Sequence, residues 1–309
     1  MPTTSPVPDV PLVVVGSANV DLVVRVERRP LPGETVRGGD LAVHPGGKGA
    51  NQAVAAARLG GRVTLLAQIG DDPHGELITR ALRDADVDFP ELPHRDRPTG
   101  TAMIVVGPEG DNSIVVSPGA NARLSPRDIA EHRERLFAAR VLSLQLEIPL
   151  ATVTAAVRAA GPGTRVVLNP SPPADLPTEV LTRCDPLVLN QHEARYLSGS
   201  DATPEAAAEA LLTRGPRSVV ITLGAEGALV AEGDGTITRV PGVRVPVVDT
   251  TGAGDAFTAA LAWRLSEGEG IVAAVRYAVR IGAEAVSATG AQSLSPRGRA
   301  IAAAGADGS

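Results

Sequence analysis

Leu12-Val13-Val14-Val15-Gly16-Ser17-Ala18-Asn19-Val20-Asp21 sets the architecture of this chain. Four apolar residues in succession leave no face for water, so they read as a strand buried on both sides. The run then passes into a loop of small residues, Gly16 to Ala18. The same texture recurs at residues 63–69, 141–146, 166–168, 187–189 and 219–223. Helix patterns lie between these runs. Ala50, Ala53, Val54 and Ala57 fall at i, i+3, i+4 and i+7, and Gly60-Gly61 ends that stretch. Phe257, Ala260, Leu261 and Leu265 make a similar stripe late in the chain. Strands alternating with helices predict an α/β fold with a doubly wound, mainly parallel sheet flanked by helices.

Two regions break this rhythm, at about 21–45 and 98–118. They carry extended segments with no helix between them, punctuated by Pro30-Leu31-Pro32-Gly33 and Gly38-Gly39. They predict a small β-sheet inserted in the main domain and able to act as a lid over a site. Residues 10–300 read as one domain, with 1–9 and 302–309 as flexible tails.

Composition narrows the function. A net charge of -6, a pI near 5.5 and no long basic run argue against nucleic-acid binding. The apolar runs are strand-sized, so no membrane span is expected and the protein reads as cytoplasmic. The single cysteine, Cys184, reads as a buried small hydrophobe. The five histidines show no paired metal spacing and read as mostly solvated. The charged stretch 126–137 reads as a helix with a solvated face.

Chemistry concentrates in three glycine-rich turns. In Val248-Asp249-Thr250-Thr251-Gly252-Ala253-Gly254-Asp255-Ala256-Phe257 a turn opens an amphipathic helix. Free amides at a helix start, with the helix dipole behind them, make an anion hole. A carboxylate beside such a hole would repel a bare phosphate. As a general base, Asp255 instead takes a proton from an attacking hydroxyl. Pro45-Gly46-Gly47-Lys48-Gly49-Ala50-Asn51-Gln52 lacks the G-K-[ST] ending of a P-loop and is not one. Its glycines admit a small ligand close to the backbone, and Lys48 and Asn51 are donors suited to hydroxyl oxygens. In Gly16 to Asp21, Asn19 and Asp21 fall on one side of an extended chain. A carboxylate there suits a vicinal diol; an Asx turn or helix cap is the plain alternative. The first strand does not run into G-x-G-x-x-G, which argues against a dinucleotide-dependent oxidoreductase.

Taken together, these strings resemble the ribokinase-like (PfkB) carbohydrate kinase family. Residues 46–60 and 249–255 are similar to its two signatures. Asn121, Asn169-Pro170, Thr222-Leu223-Gly224 and Gly290-Ala291-Gln292 match further stretches. The resemblance implies an ATP-dependent kinase of a small sugar, ribose first, with deoxyribose, fructose or a nucleoside as alternatives. It implies Asp255 as the base, with the amides of Gly252, Ala253 and Gly254 as the anion hole. Asn19, Asp21, Gly46, Gly47, Lys48, Asn51 and Glu147 would hold the sugar. Asn190, Thr222, Gly224 and Gly254 would meet ATP, and Glu193 with Asn190 would organise Mg²⁺. Asp249, Thr251, Ala285, Ala288 and Gly290 would hold K⁺. It also implies a homodimer through the β-lid. Val279 and Leu294 depart from the family pattern, the first making the base pocket more apolar and the second altering the cation loop. Two physical points favour a bare sugar. A phosphosugar would meet the carboxylate of Asp21, and the only aromatic among the first 120 residues is Phe89, outside these motifs. A sugar-binding regulator without catalysis is the remaining alternative.

Overall fold

The computed structural model describes residues 11–90, 93–94, 96–109, 111–199, 203–287, 290 and 292. The expected tails, and the expected cation-loop residues Ala288 and Leu294, lie outside them.

The main sheet has eight strands. In spatial order they are β14 (Ile237–Pro241), β13 (Gly227–Glu232), β12 (Ser218–Thr222), β11 (Cys184–Asn190), β10 (Arg165–Asn169), β9 (Val141–Gln145), β1 (Leu12–Val15) and β4 (Val63–Leu66). The six from β12 to β4 run parallel, and β13 and β14 add an antiparallel edge. The predicted doubly wound sheet is therefore present. Successive residues of β1 alternate between two apolar layers: Leu12 and Val14 face one core, Val13 and Val15 the other. Helices α1 (Lys48–Arg58), α2 (Pro73–Asp84), α9 (Ala253–Ser266) and α10 (Ile271–Ala285) supply the first layer. Helices α3 (Pro126–Glu131), α4 (Arg133–Ala138), α5 (Leu150–Ala159), α6 (Thr178–Leu181), α7 (Gln191–Ser198) and α8 (Pro204–Leu212) supply the second. No described helix is long and apolar enough to cross a membrane.

A separate four-stranded sheet carries β3 (Ala42–Gly46), β2 (Asn19–Arg25), β7 (Gly100–Val106) and β8 (Asn112–Ser117), in that order. It occupies the two regions that broke the strand–helix rhythm. Asn19 and Asp21 share one face of β2, as an extended chain requires.

Three details differ from the sequence reading. The run 63–69 is not one strand: β4 stops at Leu66, and β5 (Ile69–Gly70) pairs with β6 (Pro93–His94) in another sheet. Between them the buried Gln68 turns away and donates to Asp128 at 3.0 Å. The stretch 126–137 is two short helices meeting at His132, each presenting one buried residue, Ile129 or Leu136, beneath a charged face. Cys184 is fully buried as expected; its thiol donates to the Val180 carbonyl, and burial pushes its pKa up.

Candidate active site

Strand order reverses between β1 and β9, and open α/β sheets gather ligands at the carboxyl ends of strands around such a switch. The loop after β1 and the segment after β9 meet there. Glu147 accepts hydrogen bonds from the Ser17 hydroxyl and, at 3.1 Å, from the Lys48 amide at the start of α1.

Gly252, in the left-handed conformation at φ 78°, turns the chain into α9. The Ala253 amide is drawn into the turn by the Thr250 carbonyl at 3.3 Å, and Ala256 closes the first helical bond onto Gly252. Among the described residues, this leaves the amides of Gly252, Gly254 and Asp255 as the open donors. Asp255 itself is 7% exposed. Its carboxylate accepts from Asn51 Nδ2 at 3.0 Å and Gln52 Nε2 at 3.2 Å. The carbonyl oxygen of Gln52 accepts in turn from Ser143 at 2.9 Å and Gln145 at 2.5 Å, both on β9. A polar chain thus runs from the sheet through α1 to the head of α9 and fixes the carboxylate.

Of the predicted sugar residues, Asn51 bonds to this carboxylate, Lys48 lines a cavity with it, and Asp21 lies close enough to feel its charge. Asn19 is buried, and its side-chain oxygen accepts from Asn121 at 2.7 Å. Asn121 also exchanges two bonds with the backbone of Ala18, which fixes the amide pair. Asp21 lies against Gly46, where an added Cβ would come within 2.3 Å of the carboxylate. Gly47 caps α1, and Lys48 is its first residue.

Lys48 is the sole lysine of the chain. Burial alone would lower its pKa, but Asp255, Glu147, Glu193 and Asp21 around it hold it above the ordinary lysine value. Asp21 moves the other way. Burial, then the charges of Glu147 and Asp255, raise its pKa to about 6 against the opposing pull of Lys48.

Asn190 and Glu193 form a capping box at the start of α7. Asn190 Oδ1 accepts from the Glu193 amide at 2.8 Å, and Glu193 Oε2 from the Asn190 amide at 2.9 Å. That pairing explains why Glu193 is 5% exposed. Both residues line a polar cavity of about 220 Å³ with Lys48, Thr222, Gly254 and Asp255. A second, apolar cavity of about 480 Å³ shares Thr222 and Gly254 with it and is walled by Val243, Val245, Phe257 and Val279. Gly224 lines it too.

Asp249 accepts from the Thr251 amide at 2.9 Å and the Gly290 amide at 3.0 Å. Burial raises its pKa, but these bonds and the Thr251 hydroxyl outweigh that and hold it below the usual range. Ala285 ends α10, where helix carbonyls lack intrahelical donors.

Gln52 is the site residue that sequence reasoning missed. Its signal was its place next to Asn51. Consecutive polar residues inside an otherwise apolar stripe demand buried partners.

Open amides at a helix head, a fixed carboxylate beside them and an adjoining apolar cavity of nucleotide size define a phosphoryl-transfer enzyme on a doubly wound sheet. Residues 11–297 match the pfkB family carbohydrate kinases. The chain belongs to that family and is an ATP-dependent sugar kinase. It is 40% identical to the ribokinase of Bacillus subtilis over 286 residues, covering 92% of this chain and 95% of the relative. It is 36% identical to the deoxyribokinase of Salmonella typhi, covering 92% and 95%. Among solved structures, the ribokinase of Arabidopsis thaliana complexed with ribose and ATP superposes with a TM-score of 0.85 at 33% identity, covering 91% of this chain and 94% of that one.

Proposed function

We propose that the protein transfers the γ-phosphoryl group of ATP to the primary 5-hydroxyl of D-ribose, giving ribose 5-phosphate and ADP. The observation that carries this reading is Asp255, buried beside open amides and held by Asn51 and Gln52. In this mechanism Asn19, Asp21, Gly46, Gly47, Lys48, Asn51 and Glu147 bind the sugar and aim its hydroxyl at the phosphorus. Asp255 takes the hydroxyl proton as the O–P bond forms and the bond to ADP breaks. The open amides of Gly252 and Gly254, joined by that of Ala253 as it gives up its long bond to the Thr250 carbonyl, stabilise charge on the moving phosphoryl oxygens. Asn190, Thr222, Gly224 and Gly254 bind ATP, with the base in the apolar cavity beside Val279. The similarity to ribokinases favours ribose; the similarity to a deoxyribokinase keeps deoxyribose as the second reading.

The oxygen-only donors at Glu193 and Asn190 fit Mg²⁺, which keeps waters and phosphate oxygens around one carboxylate. Bound there with ATP, Mg²⁺ would neutralise phosphate charge. The Asp249 carboxylate with the carbonyls of Thr251, Ala285 and Gly290 fits K⁺, and Asp249 already ties the 250 loop to Gly290. We assign the same role to Ala288. ADP release is expected to be fastest with ribose among ribose, deoxyribose, fructose, fructose 6-phosphate and adenosine, and much slower in Na⁺ than in K⁺. Turnover of another sugar alone overturns the ribose assignment, and equal rates in the two salts overturn the K⁺ site.

Residues 10–300 act as one kinase domain in the cytoplasm, where ATP is supplied, with the small sheet as its lid. Val115, Met103, Leu22 and Val43 pair directly across all four lid strands and so form one apolar row. Val115, Met103 and Val43 are exposed by 62%, 47% and 44%, a surface that supports a homodimer through the lid. Light scattering is expected to give twice the chain mass, and a strict monomer overturns the dimer.

The raised pKa of Asp21 gives a pH signature. A carboxyl with pKa about 6 is largely protonated at pH 5 and charged at pH 7. Only the charged form accepts two hydroxyl protons at once. The kcat/KM for sugar is expected to rise through about pH 6. Asp21→Asn is expected to lose that rise; an unchanged profile removes Asp21 from sugar binding.

A further inference from the structure

A cavity of about 630 Å³, larger than either cavity of the active site, opens at the opposite end of the main sheet. Its walls carry Arg140, Arg165, Arg183 and Arg217. Each lies at or one residue before the start of a strand: Arg140 at β9, Arg165 at β10, Arg183 at β11 and Arg217 at β12. Those four strands are spatial neighbours, so the arginines form a row along one sheet end. Helix α9 joins the two sites: its first turn carries Asp255, and Leu265 and Ser266 at its far end line this cavity. Its fourteen residues separate them by about 20 Å.

Charge in the cavity is unbalanced. Asp185 is the one carboxylate in its lining among the described residues, and it is engaged by two nitrogens of the Arg165 guanidinium, at 3.0 and 3.1 Å, and by the Ser218 hydroxyl. Arg140 reaches the Ser266 carbonyl at 3.3 Å and Arg183 the Gly161 carbonyl at 2.9 Å, contacts that orient the guanidinium groups without neutralising them. The Arg217 side chain has no hydrogen-bond or ion-pair partner among the described residues, and it is exposed. Three cations without a carboxylate partner among the described residues thus face one concavity in a chain of net charge -6. Like charges on adjacent strands repel. Guanidinium forks match phosphate oxygens two at a time. At about 4.8 Å per strand, the row from Arg140 to Arg217 spans about 14 Å, too wide for a single phosphate.

We propose that this cavity is a second binding site, separate from the catalytic one, for a small polyanion carrying two or more adjoining phosphate groups. The probe is inorganic tripolyphosphate, titrated calorimetrically into the whole protein with the catalytic site saturated by MgADP and sugar. One tripolyphosphate is expected to bind, with an affinity that falls steeply as salt is added. Arg217→Gln is expected to weaken binding about tenfold and Arg140→Gln/Arg217→Gln to remove it, as loss of charged hydrogen bonds requires. Turnover without tripolyphosphate is expected to stay at the wild-type rate. Because the Arg217 side chain makes no described contact, its replacement tests the site without disturbing the fold, and a melting curve verifies this. Absence of binding once MgADP fills the catalytic site, or equal affinity in Arg217→Gln and the double variant, overturns the proposal.

Discussion

Asp255→Asn is expected to lower kcat by about 10²–10⁴-fold, the range for loss of a positioned general base. The substitution keeps the volume of the side chain and its place at the head of α9, but removes the group able to accept the hydroxyl proton. It also turns an amide toward the donors of Asn51 and Gln52, which now serve a carboxylate. KM for sugar and ATP is expected to change little, because the proton moves only as the new bond forms. Steady-state kinetics beside a melting curve separates chemistry from folding. The helix-dipole contribution of one carboxylate is about 0.3–1 kcal/mol, too small to unfold the protein. A variant retaining more than a tenth of the wild-type rate rejects Asp255 as the base.

Lys48→Gln is expected to lower kcat/KM for sugar by about 10²-fold, the cost of one lost charged donor in the transition state. Lys48 is the cation among Asp21, Glu147, Glu193 and Asp255. With it gone, four carboxylates would crowd the sugar cleft without a counter-charge. The melting temperature is expected to fall as well, because the carboxylates then repel one another without a counter-charge. Lys48→Arg does not rescue fully, since a wide planar fork replaces a compact ammonium at the start of α1. A near-wild-type rate in Lys48→Gln would mean that the amine does not meet the sugar.

The layers of the fold were legible because six parallel strands, buried on both faces, leave near-continuous apolar runs such as Leu12–Val15 and Val141–Gln145. The small sheet announced itself through extended segments lacking an intervening helix. Where one apolar run crossed two sheets, as at residues 63–69, composition could not mark the break; the buried bond of Gln68 to Asp128 marks it in space. The β13–β14 hairpin had a signal in Asp234-Gly235, a turn pair that favours tight antiparallel returns. Of the site, Asp255, Asn19 and Asp21 were readable from glycine turns and alternation. The burial of Glu193 and the relay through Gln52 were not, because each depends on partners distant in the sequence: Gln52 meets Ser143, Gln145 and Asp255.

The sole lysine carries a practical consequence. Activated esters and aldehydes, the usual reagents for tethering proteins to surfaces, have one side-chain amine to find here, and it stands in the cleft with Asp255. The one thiol is sealed in the core. Acylation at Lys48, told apart from that at the α-amine by mapping the modified peptide, is therefore expected to report on cleft occupancy. Sugar and nucleotide are expected to shield Lys48 from a reagent that reaches it in the empty enzyme, so loss of the label at that position becomes a readout of ligand binding.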